Sequence, residues 1–190
     1  MNARYVDDRL GEFLDLVAKK QPAPGGGAVA AVTVSAAAGL VAMAARYSAD
    51  RLDGGNALTA AAERLRARAA GLADADADAY AAVIDAYTAY DGDQRDKEQV
   101  RLALTHAAEV PLVIAELGAE TARLAARLAV DGKRDIRGDA ATAVRLADAA
   151  TRAAAHLVAV NIEAGADDDQ LSRRASGSVA IARAAAARIE

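Results

Sequence analysis

The sequence predicts an all-α protein, a single-domain multi-helix bundle of long, closely packed helices. Three observations predict it. Alanine supplies 56 of the 190 residues and apolar types make up 54%, and alanine has the highest helix propensity of any residue. Aromatic residues are only 3% of the chain, so the side chains that favour strands are scarce. Apolar positions recur at spacings of three and four rather than two. Helices so rich in alanine can approach closely, because little side chain separates their backbones.

The elements follow in order. The N-terminus, MNARYVDDRLGEF, carries acids and no apolar core, and so reads as no signal peptide. A first helix is expected from about Asp7 to Lys20, with Leu10, Phe13, Leu14 and Val17 on one face. Two prolines and three glycines between Gln21 and Gly27 then break the chain. From Gln21 to Ala45 there is no charged residue, a length that approaches a membrane span. The Pro/Gly start, Thr33, Ser35, Gly39 and the shortage of Leu, Ile and Phe favour instead a buried central helix or a dimer seam. A turn at Asp50–Asn56 leads to a helix from Ala57 to about Tyr90. Asp91-Gly92-Asp93 ends that helix, and the next runs from about Gln94 to Val130, with a kink or restart expected at Pro111. A loop from Asp131 to Gly138, a helix from Asp139 to about Ala164, an acidic triplet at Asp167–Asp169 and a final helix complete the chain. No linker divides residues 1–190 into separate domains.

Composition also excludes chemistry. Without cysteine there is no disulfide framework, thiolate nucleophile or cysteine-based metal site. A net charge of −4 gives no basic footprint for nucleic acid. His106 and His156 lie far apart without metal-ligand spacing. His106 shares a stripe with Ala103, Val110, Val113 and Leu117, where a satisfied core histidine is expected. No metal and no tightly bound cofactor is predicted.

Against the alanine background, a few polar residues stand out. Leu65, Ala69, Leu72, Asp76, Ala79, Val83 and Tyr87 form one stripe, which aims Asp76 at the core side. Asp74 and Asp78 point to other faces. A carboxylate on an apolar stripe is costly unless it is paired, hydrogen-bonded or functional. Asn161 continues the stripe Ala147, Ala150, Ala154, Leu157, where a helix-to-helix hydrogen bond is the plain reading. Asp139 follows a glycine at a helix start, where an acid is expected anyway. Pro24-Gly25-Gly26-Gly27 lacks the preceding strand and GK[ST] of a phosphate loop. It exposes backbone N–H groups at a helix N-terminus and allows close approach of another backbone or a flat ligand.

These segments together resemble a known family. A first helix ending in P-x-P-G-G-G and continuing as an Ala/Gly helix is similar to the formimidoyltetrahydrofolate cyclodeaminase / methenyltetrahydrofolate cyclohydrolase family. In order along the chain, Leu72–Tyr80 looks like its D-x-D-x-x-A-[FY] segment, and Ala108–Leu112 like its VPL segment. Gly132–Asp139 followed by Ala140 matches the spacing of its G-N-x-N-x-x-S-D-A stretch, with Lys133, Asp135 and Gly138 in place of its Asn, Asn and Ser. Val160-Asn161-Ile162 matches its closing helix. The resemblance implies an enzyme acting on one-carbon units of tetrahydrofolate. One activity closes 5-formimino-tetrahydrofolate to the 5,10-methenyl form with loss of ammonia; the other interconverts the methenyl and 10-formyl forms. It implies Asp76 as the main proton-transfer or cation-stabilising group, Asp139 as a second, and Asn161 as an orienting group. Pro24, Gly25, Gly26 and Gly27 would contact the folate, and Lys133, Arg134 or Arg137 its glutamate tail, unless those three form a solvated charged loop. A cytoplasmic homodimer is implied, with neither nucleic acid nor membrane as partner. The competing expectation is a non-catalytic helical scaffold that keeps the fold with a degenerate pocket.

Overall fold

The computed structural model describes residues 4–166 and 169–190. Six α-helices follow one another: α1 (Leu10–Ala18), α2 (Gly26–Ser48), α3 (Gly55–Thr88), α4 (Gln94–Asp131), α5 (Arg137–Glu163) and α6 (Asp169–Ala186). Short 3-10 turns precede α1 at Tyr5–Asp7 and α5 at Arg134–Ile136. Asp167 and Asp168 of the acidic triplet lie outside the described residues.

The uncharged α2 is the axis of the bundle. It packs against α3, α5 and α4, and α6 covers the outer side of α4 and α5. Its inward positions Ala31, Val34, Ala38, Val41 and Ala45 are fully buried. α2 and α4 are both long and apolar enough to cross a bilayer, but more than half of the apolar stretch in each is packed inside the bundle.

Neighbouring long helices run antiparallel. Gly54, at φ 79° in the left-handed region that favours glycine, turns the chain from α2 into α3. Asp93 caps α4 by accepting the Asp96 N–H at 2.8 Å. The C-terminal end of α2 is tied to the α4–α5 connection, where Ser48 Oγ accepts the Lys133 N–H at 3.0 Å. The N-terminal end of α2 meets the C-terminal turns of α5, with Gly26 against Leu157.

Helices also approach closely at Gly118 of α4. A Cβ there would collide with Thr151 Oγ1 and lie 3.3 Å from Val34 and 3.4 Å from the Ala147 carbonyl. Gly118→Ala is therefore expected to lower stability by about 2 kcal/mol, or roughly 4–8 °C in Tm, in a thermal melt.

Three sequence expectations are corrected. The first helix is shorter than 7–20, because Glu12 accepts the Arg9 N–H at 3.2 Å and starts the helix there. Of its apolar face only Phe13 is buried, against Tyr5, whereas Leu10 and Leu14 face solvent. Pro111 neither breaks nor restarts α4, which continues from Gln94 to Asp131. His106 is exposed rather than in the core, 3.4 Å from Glu109 one turn along, and His156 is exposed as well.

Candidate active site

The N-terminus of α2 has no side chain of its own to cap it, because the residue before the helix is Gly25. The orphan N–H of Ala28 is met from another helix, by Asp76 Oδ2 of α3 at 3.0 Å. About two helix turns farther along α2, Ser35 Oγ donates to the Arg66 carbonyl, so α2 and α3 stay in contact along their length. That register brings the Asp76 carboxylate against Gly27. A Cβ at Gly27 would overlap the carboxylate, so glycine is needed there to let the two helices meet.

Burial and hydrogen bonding act on Asp76 in opposite directions. Loss of hydration raises its pKa, the Ala28 N–H lowers it, and burial wins, leaving the carboxyl above its ordinary value. Asp74 behaves differently. It accepts the Tyr5 N–H at 2.9 Å and lies 3.6 Å from Arg4, so it pins the N-terminal segment to α3. Asp78 is exposed.

Asn161 owes its place to a proline 50 positions away. Pro111 has no N–H, so the carbonyl of Ala107, four residues earlier, loses its helical partner. The Asn161 amide fills that gap from α5, with Nδ2 donating to Ala107 O at 3.0 Å and to Leu157 O at 3.0 Å. The two bonds fix the amide's orientation, since only its NH2 group can face two carbonyls, and leave Oδ1 as an acceptor. Replacing Asn161 by Leu strands the Ala107 carbonyl and is expected to cost about 1–3 kcal/mol in a urea titration.

These groups converge on one cavity of about 260 Å³. Gly25, Gly26 and Gly27 form one wall, Asp76 and Tyr80 a second, and Pro111, Leu157, Val160 and Asn161 much of the rest. Among the described residues no Lys, Arg or His lines it. It is thus a mostly apolar chamber with one carboxylate, one oriented amide and the backbone of a glycine turn. A larger cleft of about 520 Å³ on the Asp74 face of α3, beside Arg4 and Tyr5, shares none of the glycine wall.

The structure brings together Gly25, Gly26, Gly27, Asp76 and Asn161. Pro24 is buried beneath the glycine turn and does not line the cavity. Asp139, Lys133, Arg134 and Arg137 are elsewhere. They sit at the opposite end of α5, roughly 30 Å of helix from Leu157. There Asp139 is exposed in the first turn of α5, and Arg137 Nε donates to the Gly132 carbonyl at 3.2 Å. Within one chain they cannot reach a ligand on Asp76. Sequence reasoning missed Tyr80, although it lies one helical turn beyond Asp76 and so on the same face. Among the described residues no group of three His, Asp or Glu is placed to hold a metal.

Known proteins share this arrangement of helices. The family model for formiminotransferase-cyclodeaminase matches residues 9–179. A methenyltetrahydrofolate cyclohydrolase of Methylorubrum extorquens is 32% identical over 173 residues, covering 85% of this chain and 82% of the relative. The crystal structure of formiminotetrahydrofolate cyclodeaminase from Thermotoga maritima superposes with a TM-score of 0.82 at 26% identity, covering 95% of this chain and 93% of that one. The match spans every helix that builds the cavity, and the chain belongs to the formiminotransferase-cyclodeaminase family.

Proposed function

We propose that the protein is a tetrahydrofolate one-carbon enzyme acting at the methenyl bridge, with Asp76 as its proton-transfer group. The observation that carries this reading is the single half-buried carboxylate in a chamber without basic side chains, an environment suited to a cationic bridge. The first reaction to assign is the cyclohydrolase step, because the relative at 32% identity carries that name. Asp76 takes a proton from water as the water oxygen bonds to the methenyl carbon. It then returns that proton to N5 as the carbon–N5 bond breaks, the hydroxyl proton passes to solvent, and the formyl group stays on N10.

The structural relative favours a second reading, the cyclodeaminase step. There N10 attacks the protonated formimino carbon, Asp76 takes the N10 proton and delivers it to the departing nitrogen, and ammonia leaves with the methenyl bridge formed. Both reactions ask one group to accept and return one proton, which a carboxyl of raised pKa does well near neutral pH. The Asn161 amide oxygen is placed to accept a pterin N–H, and the glycine backbone gives the flat ring room to approach.

The protein mixed with 5,10-methenyl-tetrahydrofolate is expected to speed loss of the methenyl near-UV absorbance. Growth of that absorbance with ammonia release from the 5-formimino substrate would assign the deaminase instead. No change with either, and no folate binding, favours the scaffold. The same reading includes a homodimer seamed along the partly exposed strip of α2 from Val29 through Ala36 to Tyr47. A monomer mass at micromolar concentration counts against it.

A further inference from the structure

The chain has three prolines, and all of them stand at the Asp76 cavity. Pro22 and Pro111 line it, and Pro24 lies beneath the glycine turn. Pro22 and Pro24 occupy a turn, where a ring that fixes φ is no burden. Pro111 is different, because it lies near the middle of the 38-residue α4, where proline is the least tolerated residue. Its side chain is fully buried and the helix runs through it unbroken. Neither a turn nor a chain break accounts for it.

What the ring does change is the carbonyl of Ala107. Proline supplies no N–H to that oxygen, and its ring pushes the carbonyl off the helix axis. The oxygen accepts Asn161 Nδ2 instead, at 3.0 Å, and the Leu157 carbonyl accepts the same nitrogen at 3.0 Å. Ala107, Pro111, Leu157 and Asn161 all line the cavity. The amide has two hydrogens, and both are committed. A flipped amide would lose both bonds and set Oδ1 against two carbonyl oxygens. With an N–H at position 111, the Ala107 carbonyl would turn back to its helical partner. Asn161 would then keep only Leu157, one turn back on its own helix, and its two orientations would lie closer in energy.

We infer that Pro111 is a positioning residue: it frees the Ala107 carbonyl to hold the Asn161 NH2 group, so that Oδ1 alone is offered to the cavity and the site selects a ligand that brings an N–H donor there. The inference rests on the folate reading above and deepens it, by naming what sets the hydrogen-bond pattern the ring must match. A 2-amino-4-oxo-pteridine brings its N3–H. In a 2,4-diaminopteridine the same ring nitrogen is an acceptor and meets Oδ1 lone pair to lone pair. A site built to receive a donor discriminates strongly against a ligand that lacks it, because its own polar group is left unpaired.

The test compares Pro111→Ala with Pro111→Val, which also restores the N–H but fills more of the buried space. Each is made alone and together with Asn161→Ala. Circular dichroism and urea titration report folding, and steady-state kinetics use 5,10-methenyl- and 5-formimino-tetrahydrofolate. Calorimetry at pH 7 gives Kd for oxidised folate and for its 2,4-diamino counterpart. Both single variants are expected to raise KM roughly tenfold with kcat changed less, and to shift the ratio of the two Kd values by a similar factor toward the diamino form. Pro111→Ala should be no less stable than the wild type, because the helix gains the hydrogen bond that proline denied it. In the Asn161→Ala background the same substitutions should leave KM and the Kd ratio unchanged. Equal KM rises in both backgrounds would overturn the inference, since Pro111 would then act by shape alone. So would lost stability with an unchanged Kd ratio, or unchanged KM values with normal turnover, and both results leave the reaction standing. A wild type that neither turns over nor binds a folate removes the reaction and the inference together.

Discussion

Asp76→Asn is expected to lower kcat/KM by roughly 10³-fold while the protein stays folded, in the range seen when a positioned proton-transfer group is removed. The amide oxygen of the new side chain still accepts the Ala28 N–H, so the α2–α3 contact survives. Stability should move the opposite way from activity. Burial holds the folded pKa of Asp76 above its unfolded value, so folding is favoured by this group at low pH. That contribution fades as pH rises from the ordinary carboxylate range through the raised folded value. At neutral pH the ionised carboxylate is therefore a cost, and the Asn variant should melt at the same temperature as the wild type or higher. Urea titrations of both proteins at pH 5 and pH 8 check this, and a variant destabilised more at pH 8 than at pH 5 would contradict it. A gain in stability that accompanies loss of activity is the pattern of a strained functional site.

Gly27→Ala should lower kcat/KM by roughly 10²-fold, and by more than Gly26→Ala does. The added methyl overlaps the Asp76 carboxylate, whereas at Gly26 it meets Leu157 at an ordinary 3.8 Å. To make room, the carboxylate must turn away from the Ala28 N–H or α2 must lift from α3, and an ångström of displacement at a reacting group costs about that much. Equal rates for Gly26→Ala and Gly27→Ala would show that the close approach at Gly27 does not set the position of Asp76.

The helical fold was legible because alanine content and spacing act locally, residue by residue. Asp76 was legible for the same reason, since one carboxylate among Leu65, Ala69, Ala79 and Val83 breaks a periodic pattern. Asn161 was legible as a position but not as a device. Its role depends on a carbonyl freed by Pro111 on another helix, and nothing local to either residue joins them. The expected restart at Pro111 failed for a related reason: the orphaned carbonyl finds a partner across the bundle and the helix continues. Lys133, Arg134, Arg137 and Asp139 could be placed in a loop and a helix start, but not at one end of the bundle rather than the other. That depends on the antiparallel run of α2 and α5, which only the packed structure supplies. His106 and Leu14 show the softness of stripe assignments in alanine-rich helices, where a face rotated by one position reads almost as apolar.

The most direct measurement of the central claim is the pH dependence of kcat/KM for methenyl turnover by the wild type, set beside the residual activity of Asp76→Asn. A half-buried carboxylate that must be ionised to take a proton predicts activity that falls on the acid side, with an apparent pKa above the ordinary aspartate value. The acid limb should be missing from the variant's residual rate. An acid limb of the same midpoint in both proteins, or a wild-type rate flat down to the ordinary carboxylate range, would contradict the assignment of Asp76.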